Sequence, residues 1–156
     1  MTDTDYMKEA FNQAFSGMRN NEGGPFGAVV VQEGEIIGRG CNKVTSTNDP
    51  SAHAEIVAIR EACHNKNSYH LVGASIYTTC EPCPMCLAAI YWANIRTVYY
   101  CLNSEDAARI GFDDKYIYGE LAKDQEERNI SMKKVFVEYA EQLYQEWSAK
   151  KDKKVY

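Results

Sequence analysis

Two short runs constrain this chain more than anything else in it: His53-Ala54-Glu55, and Pro82-Cys83-Pro84-Met85-Cys86 further on. A Cys-x-x-Cys pair offers two thiolates at i, i+3, and a histidine offers a third donor, enough for three corners of a zinc tetrahedron. Structural zinc is usually closed by four protein ligands, whereas catalytic zinc keeps three and leaves a position for water. Glu55 lies two residues from the histidine, so its carboxylate can face that fourth position without occupying it. Pro84 suits the first position of a helix, which puts Cys83 and Cys86 at a helix start, where the positive end of the dipole favours thiolates.

The combined pattern, His-x-Glu followed by Pro-Cys-x-x-Cys, is that of zinc deaminases acting on nucleobases. Replacing an amino group on an electron-poor ring carbon needs a nucleophilic water at neutral pH, and zinc lowers the pKa of water from 15.7 toward ~7. A carboxylate hydrogen-bonded to such a water can serve as base and then as acid. His53, Cys83 and Cys86 are therefore the expected metal ligands, with one zinc per subunit, and Glu55 the expected proton carrier. Taken singly, the Cys-x-x-Cys could also be half of a structural zinc site or a redox pair. His64, His70 and Cys80 are available as a fourth ligand in a structural site.

The surrounding pattern reads as an α/β chain. Met7, Ala10, Phe11, Ala14, Phe15 and Met18 recur at helical spacing, which predicts a helix over 5–20. Residues 26–31 and 35–41, joined by Glu33-Gly34, predict a hairpin, followed by a polar loop over 42–50. Ser51 can cap a helix over 52–64. A strand over 71–79, a helix over 84–93 and a strand over 97–101 follow, then a short helix over 104–110. Residues 131–139 predict a last strand and 140–149 a last helix, while 112–130 show no clear pattern. Alternating strands and helices argue for a sheet with helices on its faces, built as one domain over residues 1–156.

Composition excludes some partners. The net charge of −5, with no basic stripe, argues against a chain that grips nucleic acid, because phosphate neutralisation supplies most of that affinity. No apolar run approaches the ~20 residues of a membrane span, and the acidic start lacks a secretion pattern, so a cytoplasmic protein with no membrane partner is expected. Cys41, Cys63, Cys80 and Cys101 lie in apolar segments and read as small buried side chains.

With these motifs the chain resembles the cytidine deaminase-like superfamily and, within it, the bacterial guanine deaminases. The resemblance runs through Gly23-Gly24-Pro25-Phe26-Gly27-Ala28, Asn42, Asn48-Asp49-Pro50, the two zinc motifs, Ile90-Tyr91-Trp92-Ala93, Gly111-Phe112-Asp113-Asp114 and the terminal Tyr156. It implies a three-layer fold with a five-stranded mixed sheet between helices. It also implies a homodimer whose C-terminal segment is exchanged, so that the last residues cover the partner's site. By the same resemblance Asn42 and Asp114 would hydrogen-bond a purine edge, and Phe26 and Trp92 would bracket the ring. Ala54 and Tyr156 would complete the substrate pocket. Guanine's N1–H and exocyclic amine form adjacent donors that one carboxylate can accept together, and aromatic faces stack on any purine.

The expected reaction is hydrolysis of guanine to xanthine and ammonia. A tRNA adenosine deaminase shares the zinc motifs, and a non-catalytic module with a structural zinc would share the ligands. Salt-sensitive tRNA binding would mark the former and a fourth protein ligand the latter.

Overall fold

The computed structural model describes residues 1–156, which divide into two compact units, Met1–Tyr116 and Ile117–Tyr156. The first unit opens with α1 (Asp3–Arg19). A reciprocal cap starts it: the Thr2 hydroxyl accepts from the Asp5 N–H, and the Asp5 carboxylate accepts from the Thr2 N–H. The predicted hairpin forms as β1 (Gly27–Gln32) and β2 (Glu35–Cys41). Glu33 and Gly34 turn it with φ of 54° and 81°, the positive values that a tight two-residue hairpin turn demands. β3 (Ser75–Cys80) pairs antiparallel with β1, and β4 (Thr97–Leu102) pairs parallel with β3, giving the order β2-β1-β3-β4.

Strand alternation sends side chains to two cores. Ala28, Val30 and Ile76 face α3 (Ala54–Lys66) and α4 (Pro84–Trp92), where they meet Ala54, Ala58, Ala62 and Ile90. Val29, Val31 and Tyr77 face the other way and pack with Tyr6 of α1. The first unit is thus a mixed sheet between two helical layers. Small residues set the layer spacing. A Cβ at Gly40 would overlap the Ala54 carbonyl oxygen, and one at Gly27 the Ala10 carbonyl oxygen. The helix that carries Glu55 can therefore lie against the sheet only because β2 has no side chain at that point.

α2 (Val44–Thr47), α5 (Ser104–Arg109) and α6 (Lys115–Ala122) complete the helices that precede the C-terminal segment, and α6 crosses the division between the units. The second unit contains a 3₁₀ turn, Gln125–Glu127, and α7 (Ala140–Ala149). None of residues 117–156 is buried. No helix is long and apolar enough to cross a membrane.

The sheet has four strands, not the five implied by the resemblance. Residues 131–139 form no strand, and their apolar side chains are exposed, Phe136 at 83%. β propensity measures the fit of a side chain to a half-buried pleated surface, and this chain offers that segment none. Four smaller differences are local. The loop at 42–50 contains α2, and α6 rises from the unpatterned region. Leu71–Ala74 is a turn through Gly73 (φ 81°), so β3 begins at Ser75. The cap of α3 is His53 rather than Ser51, whose N–H and hydroxyl both donate to Asp49 Oδ1 at 2.8 and 2.6 Å.

Candidate metal centre and active site

Two helix starts meet at the centre. His53 is the N-cap of α3 and Cys83 the N-cap of α4, both with extended backbone, and neither side chain makes a capping hydrogen bond. Their donor atoms are thus free to point beyond the helices. Glu55 and Cys86 follow in the first turns. The approach to α4 is tied down by Glu81, whose N–H donates to the Leu102 carbonyl at 2.8 Å while its carboxylate accepts from the Ser104 N–H at 3.1 Å.

His53 Nδ1 lies 3.6 Å from Cys83 Sγ and 3.6 Å from Cys86 Sγ, and the three atoms all lie within 4.8 Å of one another. A tetrahedral zinc with Zn–S of ~2.3 Å and Zn–N of ~2.05 Å has an S···N edge of ~3.6 Å. The three donors therefore stand where zinc needs them. No fourth His, Cys, Asp or Glu joins the group, so His64, His70 and Cys80 are not brought to it. That is the donor set of a catalytic rather than a closed structural site.

The protonation pattern suits the same set. Cys83 is drawn down to about 4, first because the Cys86 thiol donates to it and then through His53. Cys86 is pushed far up as the partner that keeps the proton, with burial adding to the effect. His53 is raised by its hydrogen bond with Cys83, against the opposing effect of burial. Metal binding would displace these protons and use the deprotonated donors.

Glu55 is 6% exposed. Burial, before any other cause, raises its carboxyl above the usual range, with the Cys83 charge adding to it. Its Oε1 accepts from the Thr78 hydroxyl at 3.1 Å, and its Oε2 lies 3.4 Å from Cys86 Sγ. A carboxylate that must take up and release a proton near neutral pH is tuned in this direction.

The other predicted residues divide. Asn42 is buried, and its Oδ1 accepts from the Gly24 N–H at 3.3 Å and the Val44 N–H at 3.1 Å. Its amide is thereby oriented, leaving the NH₂ group to donate. Phe26 packs edge-to-face against Phe112, with centroids 4.9 Å apart. Asp114 has a buried Oδ1 with no hydrogen-bond partner. Burial raises its carboxyl, the Cys83 charge adds to that, and its own charge acts back on His53. An acceptor held dry and unpaired is an acceptor waiting for a donor. Ala54 is fully buried in the core between α3 and the sheet. Trp92 ends α4 at 64% exposure, and Tyr156 lies in the second unit at 72% exposure.

Sequence reasoning did not assign roles to Thr78, Phe112 or the Gly24 and Val44 N–H groups. Thr78 was recoverable in principle, since it follows Ile76 on the face of β3 turned toward α3. The backbone donors carry no residue-type signal at all.

Residues 1–102 match the family described as cytidine and deoxycytidylate deaminase zinc-binding region. The chain is 47% identical to the guanine deaminase of Bacillus subtilis (strain 168), over 97% of each chain. A crystal structure of guanine deaminase from Bacillus subtilis superimposes with a TM-score of 0.96 at 46% identity, covering 100% of this chain and 99% of that one. The tRNA-specific adenosine deaminase of Buchnera aphidicola subsp. Schizaphis graminum is 40% identical, over 70% of this chain and 72% of its own.

Proposed function

The chain belongs to the cytidine and deoxycytidylate deaminase zinc-binding family, and from that premise we propose that it hydrolyses guanine to xanthine and ammonia. The observation that carries the reading is the three-donor set of His53, Cys83 and Cys86 with the buried Glu55 carboxylate beside it. Bound there, zinc supplies a nucleophilic water at neutral pH. Guanine, rather than another amino-heterocycle, is supported by similarity to a guanine deaminase over the full chain.

In this reading Glu55 takes a proton from the attacking water and delivers it to a ring nitrogen. It then takes a second proton from the hydroxyl newly added to the ring carbon and passes it to the departing amine. Guanine plus water gives xanthine plus ammonia, and Glu55 ends as it began. The Asn42 NH₂ donates to an acceptor on the purine edge, since its Oδ1 is already held by two backbone N–H groups. Asp114, with its unpaired buried oxygen, accepts from guanine's N1–H and amine. Phe26, steadied by Phe112, and Trp92 bracket the ring.

Residues 117–156 bury nothing, and a segment of this size seldom folds without outside support. β4 has a free edge, with Tyr99, Tyr100 and Leu102 exposed along it. These observations support a homodimer in which the C-terminal unit of one copy packs on the other. Tyr156 then reaches the partner's pocket.

Ammonia release from zinc-loaded protein across guanine, adenine, cytosine, guanosine and a tRNA anticodon stem-loop tests the function. Release from guanine is expected. Release from the RNA alone would move the chain to the tRNA-editing branch. Silence on all five, with one zinc bound, would leave a structural metal or a different amino-heterocycle as substrate.

A further inference from the structure

We infer that Thr78 is the positioning residue that fixes which oxygen of Glu55 handles protons, an inference that rests on the deaminase reading above. Thr78 sits in the middle of β3, paired with Ala28 of β1 and Tyr100 of β4, and is 1% exposed. A valine would fill this space equally well and would suit a central strand. A buried hydroxyl is costly unless it is bonded, and this one has a single partner, Glu55 Oε1 at 3.1 Å. The neighbouring Thr79 shows the contrast. Its hydroxyl lies on the opposite face of the strand and accepts from the Gly27 N–H at 3.2 Å, a purely structural use.

The two oxygens of Glu55 are thereby made unequal. Oε1 points to the sheet and is held by Thr78. Oε2 points to Cys86, 3.4 Å away, and so to the metal centre. Once Cys86 serves as a metal ligand it is a thiolate with no proton to give. The Thr78 hydroxyl is then the side-chain donor that still holds the carboxylate. It stops the group rotating about its terminal torsion, which is soft for a glutamate. In the ionised carboxylate it also engages Oε1, so that Oε2, on the reacting side, is the open oxygen that takes up a proton. The geometry is set by the pleat of β3 and by the close approach of α3 to the sheet across Gly40.

Steady-state kinetics of zinc-loaded Thr78→Val and Thr78→Ser on guanine test the inference. Loss of a hydrogen bond to a charged group should lower kcat of Thr78→Val about 10- to 100-fold, with KM within about threefold and one zinc per chain. Thr78→Ser keeps the hydroxyl but loses a buried methyl group. It should restore kcat to within about threefold of wild type while unfolding at lower temperature. A Thr78→Val enzyme with wild-type kcat, or a Thr78→Ser enzyme as slow as Thr78→Val, would overturn the inference.

The failure of the guanine reading looks different: the wild-type protein itself would be inactive on guanine. The Thr78–Glu55 link is then read without turnover, from urea unfolding of zinc-loaded Thr78→Val, Glu55→Leu and the double variant. The unfolding constant of the double variant should depart from the product of the single effects by about fivefold or more. Simple additivity would sink the inference whatever the substrate.

Discussion

The two units of this chain use similar residues to opposite ends. In Met1–Tyr116, Val29, Val30, Leu71 and Ile76 are fully buried between helices and sheet. In Ile117–Tyr156, Val135, Phe136, Leu143 and Tyr144 are exposed, at 81%, 83%, 68% and 75%. Burying one such side chain is worth about 1.5–3 kcal/mol, so a row of exposed ones favours any second surface that will cover it. A chain spends its apolar residues on its own core only where a second layer is close at hand. The first unit has that layer and holds the three metal donors. The second has none and is proposed to serve assembly.

Variants can break this division of labour. The largest effect should come from Cys86→Ala in the first unit. It removes a fully buried ligand, so zinc content should fall well below one per chain and turnover should vanish, while elution volume on a sizing column stays that of the wild type. Retained zinc by elemental analysis would show that the trio is not the metal site. Glu55→Gln comes next. Turnover should fall about 10³-fold or more with zinc retained, since general acid–base groups contribute about 10²- to 10⁴-fold. A zinc-replete variant that still turns over would remove Glu55 from the mechanism.

The mildest change probes the second unit. Phe136→Asp should leave zinc content and the helical circular dichroism intact, because nothing in its own chain buries the residue. It should weaken self-association about tenfold or more in sedimentation, consistent with the loss of a well-buried aromatic anchor at an interface. Unchanged association would mean that the exposed row is not the surface that pairs.

The metal donors were legible because their spacing is a local property. His53, Cys83 and Cys86 each sit within a few residues of a helix start, and Pro84 marks one of those starts openly. The hairpin was legible for the same reason: Glu33-Gly34 announces its turn. The cap of α3 was not. Ser51 has the chemistry of a cap but is taken by Asp49, two residues away, and the start shifts to His53. That shift matters, because an N-cap side chain projects off the end of the helix rather than along its flank. The strand expected over 131–139 failed because strand pattern speaks of a face to be covered, not of a neighbour to cover it.

The donor types, their positions at the helix starts and the alternation that folds an α/β sheet can all be read along the chain. Each of these is decided within a few residues by backbone preference and side-chain period. Only the tertiary structure decided the 3.6 Å spacings of the donors, the carboxylate of Glu55 split between Thr78 and Cys86, and the unpaired oxygen of Asp114. These depend on residues far apart in the chain meeting across packed layers, and so on how closely a helix can lie against a sheet where Gly40 leaves it room.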